Sequence, residues 1–242
     1  MQVEAKRETK PSYKNYGIYK KYLKRPIDFM LALIAITILS PIILIIAIMV
    51  RIKLGSPVIF KQKRPGRNEK IFTMYKFRTM TNEKNQNGEL LPDEIRLTKF
   101  GRFLRSTSID ELPELFNIFK GDMSIVGPRP QLIKDMVFMT QDQRKRHNVL
   151  PGLTGWAQIN GRNNISWEQK IELDIEYINK IKFLYDAKII IYTFVKVFKR
   201  EGISAENMDT SEDYGDYLLR TGKICKEYYN EKIDSIKEIK KK

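Results

Sequence analysis

From Phe29 to Val50 the chain runs for 22 residues without a charge, FMLALIAITILSPIILIIAIMV. Roughly 20 apolar residues cross the ~30 Å hydrocarbon core of a bilayer, so this run is long enough to span one. Ser40-Pro41 lies at its middle. Proline removes a helical N–H and clashes with the carbonyl four residues back, while a neighbouring serine re-satisfies freed backbone groups, so the pair marks a kink. Basic residues flank the run on both sides: Lys20, Lys21, Lys24 and Arg25 before it, and Arg51, Lys53, Lys61, Lys63, Arg64, Arg67 and Lys70 after it. Basic flanks favour the cytoplasmic face, and a straight span would leave one cluster on the wrong side. The expectation is a re-entrant helix–break–helix over Pro26 to about Val50, returning to the leaflet it entered; a kinked single-pass anchor is the competing reading.

The net charge of +15 over 242 residues draws such a chain to polyanions: anionic lipid, nucleic acid or phosphorylated substrates. With a membrane-embedded segment present, lipid headgroups and a phosphate substrate are the economical partners. One cysteine, Cys225, and one histidine, His147, exclude an internal disulfide and any Cys- or His-rich metal site. The length fits one domain with tails. Residues 1–19 read as a polar leader, 20–202 as the working domain and 203–242 as a charged C-terminal tail, helical or disordered.

Val58–Phe60 and Ile71–Tyr75 are β-prone runs separated by KQKRPGRNEK, which predicts a small hairpin. Thr81 to Pro92 reads as an exposed loop. From Trp167, Ile171, Ile175 and Ile178 recur at helical spacing, with Asp174 on the apolar stripe, where a bare carboxylate is costly to bury. Asp174 therefore has a specific partner, or else meets water at the edge of the stripe. DAKIIIYTFVKVFKR, from Asp186, predicts a second amphipathic helix, lying in the membrane interface or on the domain core.

The middle of the chain carries the chemistry. Asp110 and Glu111 are adjacent, and Pro113 places them near a helix N-terminus. Ser108-Ile109-Asp110-Glu111 also spells a capping box, which would make the pair structural. Cations surround it in the sequence: Arg102 and Arg105 before, Lys76 and Arg78 at the end of the hairpin, and Arg129 held between Pro128 and Pro130 after. Carboxylates ringed by cations at a membrane surface point to a divalent metal, Mg²⁺ at Asp110 and Glu111, with a diphosphate substrate. PGLTGWAQINGRN lacks the lysine of a phosphate-binding P-loop and reads as a structured loop beside the site. Arg144, Lys145, Arg146 and His147 read as a solvated helix face or a lipid contact.

KRPIDF…SP, FKQKRPGRNEKIFTMYKFRTM, LTKFGRFLRSTSIDELPELFNIFKGDMSIVGPRP, LPGLTGWAQINGRN and LDIEYI together resemble the bacterial sugar transferase family, the monotopic phosphoglycosyl transferases. The resemblance runs from about Tyr22 to Arg200 and is closest to the small single-domain members. It implies ping-pong transfer of a sugar phosphate from a UDP-sugar to a membrane polyprenyl phosphate, with UMP released, initiating glycoconjugate assembly. On this sequence it implies Asp110 as the nucleophile, Glu111 as its partner, Arg105 and Arg129 as phosphate and nucleotide contacts, and Ser40-Pro41 as the helix break. Lys76, Arg78, Arg102, Pro128, Pro130 and Asp174 are the further substrate-binding candidates. The expected fold is mainly α with a small β-hairpin: the re-entrant helix plus interfacial amphipathic helices around a compact cytoplasmic catalytic domain. The expected location is the bacterial cytoplasmic membrane, with membrane lipids and later glycosyltransferases of the pathway as candidate partners and no nucleic acid. A non-catalytic basic membrane scaffold and a nucleic-acid-binding protein are the alternatives.

Overall fold

The computed structural model describes residues 17–161, 165–199 and 212–239. Most of the leader and the junction at 200–211 lie outside them. A π-helical turn, Tyr19–Leu23, leads into α1, Lys24–Leu54, which is helical throughout. Pro41 does not interrupt it: the expected break is corrected to a continuous helix. The Ser40 hydroxyl donates to the Thr37 carbonyl at 2.9 Å, the acceptor that the missing Pro41 N–H leaves free.

The stripe of α1 that meets protein is Asp28, Ala32, Ile36, Leu39, Ile43, Ile46, Val50 and Leu54, at three- and four-residue spacing with no slip across Pro41. Its first half packs on Phe72, Met74, Leu115 and Ile118, and its second half on Phe77, Leu104, Ile109 and Leu112. The opposite face leaves Ile34, Ile38, Leu44, Ile48 and Ile52 exposed. At 1.5 Å per residue α1 is about 45 Å long. It therefore lies along the body over its whole length, with a greasy outer face that fits a membrane anchor.

The hairpin forms as expected: β1, Ile59–Pro65, pairs antiparallel with β2, Ile71–Phe77, putting Phe60 opposite Lys76. The short α2, Asp93–Arg96, and α3, Lys99–Ser106, follow the exposed loop, and α4, Glu114–Lys120, packs between α1 and β2. The buried Asn117 of α4 closes the outer edge of β2, accepting from Tyr75 N–H at 3.0 Å and donating to the Thr73 carbonyl at 2.7 Å. A second, parallel pair joins β3, Ser124–Val126, to β4, Gly152–Thr154; between them lie α5, Ile133–Met136, and α6, Gln141–Arg144.

After α7, Trp156–Asn160, the amphipathic segments form α8, Trp167–Lys180, capped by Ser166, and α9, Phe183–Lys199. Asp186 and Ile189 of α9 face inward, while Leu184, Ile191 and Phe194 are exposed. Buried Asp186 accepts from Lys24 Nζ at 2.6 Å, Tyr19 at 2.7 Å and Tyr177 at 2.8 Å, tying the start of α1 to α9. The C-terminal stretch is not a loose tail where it is described: α10, Tyr214–Arg220, and α11, Lys226–Ile239, bury Tyr214, Leu218 and Ile236 against Ile133, Met136, Trp167 and Ile171.

Candidate active site

The acidic pair sits in a short 3-10 turn, Ile109–Glu111, wedged between α3 and α4. Ser108, just before it, adopts a left-handed conformation with φ 55°, uncommon for a residue other than glycine, and its side chain caps nothing. The capping-box reading therefore fails on geometry. Glu111 reaches instead toward β2 and the Pro-Arg-Pro segment, where its Oε1 accepts from Lys76 Nζ at 2.7 Å and from Arg129 Nη2 at 2.6 Å. Lys76 also lies 3.2 Å from Glu114 Oε1. The Tyr75–Asn117 bond described above fixes Lys76, one residue on, against α4.

These contacts divide the carboxylates electrostatically. Burial disfavours a charged Glu111, but Arg129 and Lys76 overcome it and hold the group well below the usual carboxylate range. Asp110 is also buried, yet it accepts no hydrogen bond from any described residue. Burial, together with repulsion from Glu111, pushes it up to about 6 against the pull of Lys76, Arg129 and Arg105. Glu114 rises to about 7, through burial and Glu111, with Lys76 opposing. The pair thus holds one anion bound through Oε1 by two cations beside one undersolvated carboxylate that neither cation binds, the better nucleophile of the two.

The Pro128-Arg129-Pro130 segment is held at each carbonyl. Gly152 N–H donates to Pro128 O at 2.9 Å, Arg146 Nη2 to Arg129 O at 2.8 Å and Arg64 Nη1 to Pro130 O at 3.2 Å. The glycines of the 151–161 loop serve close backbone approach: a Cβ on Gly152 would stand 2.1 Å from Gly127 N. Arg146 is in turn buried against Asp174, with Nη2 2.6 Å and Nε 3.0 Å from Asp174 Oδ2. Asp174 does not face the dyad; it acts through Arg146 on the backbone of Arg129.

The remaining candidates separate. Arg105, on α3, donates Nε to Thr79 Oγ1 at 3.1 Å and contributes to the field at Asp110. Arg78 is buried and donates to the Ser56 carbonyl at 2.6 Å, supporting the turn after α1 rather than the dyad. Arg102 is exposed on α3 and forms no ion pair among the described residues. Arg64, Glu114 and Arg146 escaped sequence reasoning. Glu114, three residues after Glu111, carried a spacing signal, but the basic run around Arg146 concealed a residue that is 2% exposed. His147 beside it is buried too; burial and the neighbouring Arg146 and Arg144 push it down to about 3, so it is neutral at physiological pH.

A cavity of about 200 Å³ opens on the far side of Lys76 and Arg129, the two cations on Glu111, and is lined by them with Glu114, Arg64, Leu132, Asp135, Trp167 and Asp213. Among the described residues no three His, Cys, Asp or Glu groups converge on a metal position. Two adjacent carboxylates, one with both oxygens unoccupied, do fit Mg²⁺, which binds through one or two carboxylates plus substrate phosphate oxygens.

The site is an acidic pair ringed by cations, beside a long helix whose apolar outer face fits a membrane anchor. The chain belongs to the bacterial sugar transferase family, whose model matches residues 19–200. It is 54% identical over 192 residues to the uncharacterized sugar transferase EpsL of Bacillus subtilis, covering 79% of this chain and 95% of that protein. It is 38% identical over 188 residues to the UDP-glucose:undecaprenyl-phosphate glucose-1-phosphate transferase of Escherichia coli, covering 74% of this chain and 40% of that protein. It is 36% identical over 183 residues to the UDP-N-acetylgalactosamine-undecaprenyl-phosphate N-acetylgalactosaminephosphotransferase of Aeromonas hydrophila, covering 71% and 43%. The chain thus spans less than half the length of these last two relatives.

Proposed function

We propose that the protein is a sugar-phosphate transferase that moves a sugar phosphate from a UDP-sugar to a polyprenyl phosphate at the cytoplasmic face of the bacterial membrane. The observation that carries the reading is Asp110: buried, without a hydrogen bond from a described residue, beside a Glu111 whose Oε1 is bound by Lys76 and Arg129. In the first step an Asp110 oxygen bonds to the β-phosphorus of the donor. The bond from that phosphorus to the bridging oxygen breaks, and UMP leaves with the electron pair. In the second step a polyprenyl phosphate oxygen attacks the same phosphorus and restores the Asp110 carboxylate, leaving polyprenyl diphosphate sugar. Arg129, Lys76 and Arg105 offset the charge of the diphosphate and of departing UMP. Asp110 and Glu111, with donor phosphate oxygens, would hold Mg²⁺, which when bound supplies further neutralisation of the diphosphate.

The placement of α1 supports an anchor that stays on one face of the membrane rather than one that crosses it. Its two halves pack on one body that includes the site, so a through-span would draw α3, α4 and the dyad into hydrocarbon, where their polar groups are costly to bury. The reading is tested by incubating the purified protein with a panel of UDP-sugars and Mg²⁺, following UMP release and a phosphosugar adduct by intact mass. An adduct on wild type and none on Asp110→Asn is expected. UMP release that persists in Asp110→Asn would sink the covalent mechanism.

A further inference from the structure

The wall of the cavity behind Lys76 and Arg129 is not built by the family-matched region alone, because Asp213 lies beyond residues 19–200. The chain around it is firmly clamped. Trp167 Nε1 donates to the Glu212 carbonyl at 3.1 Å, Tyr214 N–H donates to Asp135 Oδ1 at 2.9 Å, and the Trp167 and Tyr214 rings meet at 5.1 Å. Asp213 occupies the N-cap position of α10, where aspartate ordinarily binds the first turn, yet its side chain makes no capping bond. It turns instead to Lys134 and the cavity. Of the other two carboxylates of that wall, Asp135 is engaged on both oxygens by backbone N–H groups, Leu132 on one and Tyr214 on the other, and Glu114 is turned to Lys76, 3.2 Å from its Nζ, among the cations. Asp213 is the carboxylate set apart from that cation cluster.

One cavity therefore joins a cation cluster, Arg64, Lys76 and Arg129 with Glu114 paired to Lys76, to Asp213 on the side of the Trp167 indole. Phosphate favours the cations and is repelled by Asp213, whereas a ring N–H or O–H is a good partner for it. At about 200 Å³ the cavity falls below the 300–1,000 Å³ typical of whole ligands, so it admits one ring of a nucleotide sugar rather than the entire donor. Resting on the donor reading above, we propose that Asp213 is a specificity-determining residue: its carboxylate accepts a hydrogen bond from an N–H or O–H of the donor's ring, hexose or uracil, supplied from outside the family-matched region.

The test compares full-length wild type, Asp213→Asn and Lys134→Ala in detergent with polyprenyl phosphate, measuring KM and kcat across a panel of UDP-sugars and inhibition by UMP. Asp213→Asn is expected to raise the donor KM on the order of tenfold, more than it lowers kcat, and to narrow the preference among donors. If UMP inhibition weakens in parallel the contact is to the nucleoside; if it does not, the contact is to the sugar, and either result sustains the proposal. Lys134→Ala, which keeps the carboxylate, is expected to leave KM within about threefold of wild type. The proposal is overturned if wild type turns over while Asp213→Asn keeps its KM, donor ranking and UMP inhibition, or if Lys134→Ala reproduces the full rise in KM. No UMP release by wild type with any donor would instead remove the donor reading, and this inference with it.

Discussion

Adjacent in the chain, Asp110 and Glu111 differ in the feature that decides their chemistry: Lys76 and Arg129 bind Glu111, and neither binds Asp110. With Asp110 pushed up to about 6 in the metal-free protein, its carboxylate forms as pH rises through that value, so the protein's affinity for Mg²⁺ should climb between pH 5 and 7 and then level. A profile flat across that window would contradict the assignment. The same shift has a stability consequence. A folded-state pKa above the unfolded value favours the protonated form; that stabilisation is complete below the unfolded pKa and is lost as pH rises through about 6. Asp110→Asn should therefore be the more stable protein at pH 7, by about 1–3 kcal/mol, with the difference shrinking toward pH 4. Denaturant titrations at the two pH values measure it, and an equal difference at both would refute the electrostatic account.

Between elements, the Arg146–Asp174 pair joins α8 to the segment that presents Arg129. Leaving a buried guanidinium unpaired costs about 3–5 kcal/mol, so Asp174→Ala should lower the melting temperature markedly and raise the donor KM together. A KM effect at unchanged stability would instead mark Asp174 as a substrate contact. Asp174 also shows where the sequence could be read and where it could not. The isoleucine spacing of α8 revealed a carboxylate on an apolar stripe, but its partner lies 28 residues away in a run that looked solvated. Likewise the hairpin was legible from two β-prone runs around a Pro-Gly turn, whereas the parallel β3–β4 pair was not. Those strands are three residues each, and their contact depends on Gly152 meeting Gly127 across sequence-distant loops. Asp110, Glu111 and Arg129 were legible because they lie in contiguous motifs. Lys76, though named, gave no hint of its bond to Glu111, formed only once β2 and α4 pack. At Pro41 the serine's compensation was legible from the Ser-Pro pair, whereas the continuity of the helix across it was not, because that rests on one unbroken stripe of α1 packing on the body.

At the scale of the molecule, the greasy faces of α1 and α9 belong to the same body as the acidic pair, and both ends of α1 should remain on one side of the bilayer. With the exposed Cys225 replaced by serine, Lys21→Cys and Lys53→Cys are expected to resist an impermeant maleimide in right-side-out vesicles and to react after permeabilisation. Labelling of either alone before permeabilisation would establish a through-span. One further consequence follows from the buried Asp186, which rides on α9 and grips Lys24 at the start of α1 and Tyr19 in the turn before it. The two helices then behave like the twin hulls of a catamaran. The angle between their two apolar faces, and the position of the acidic pair relative to both, are set by a joint inside the protein.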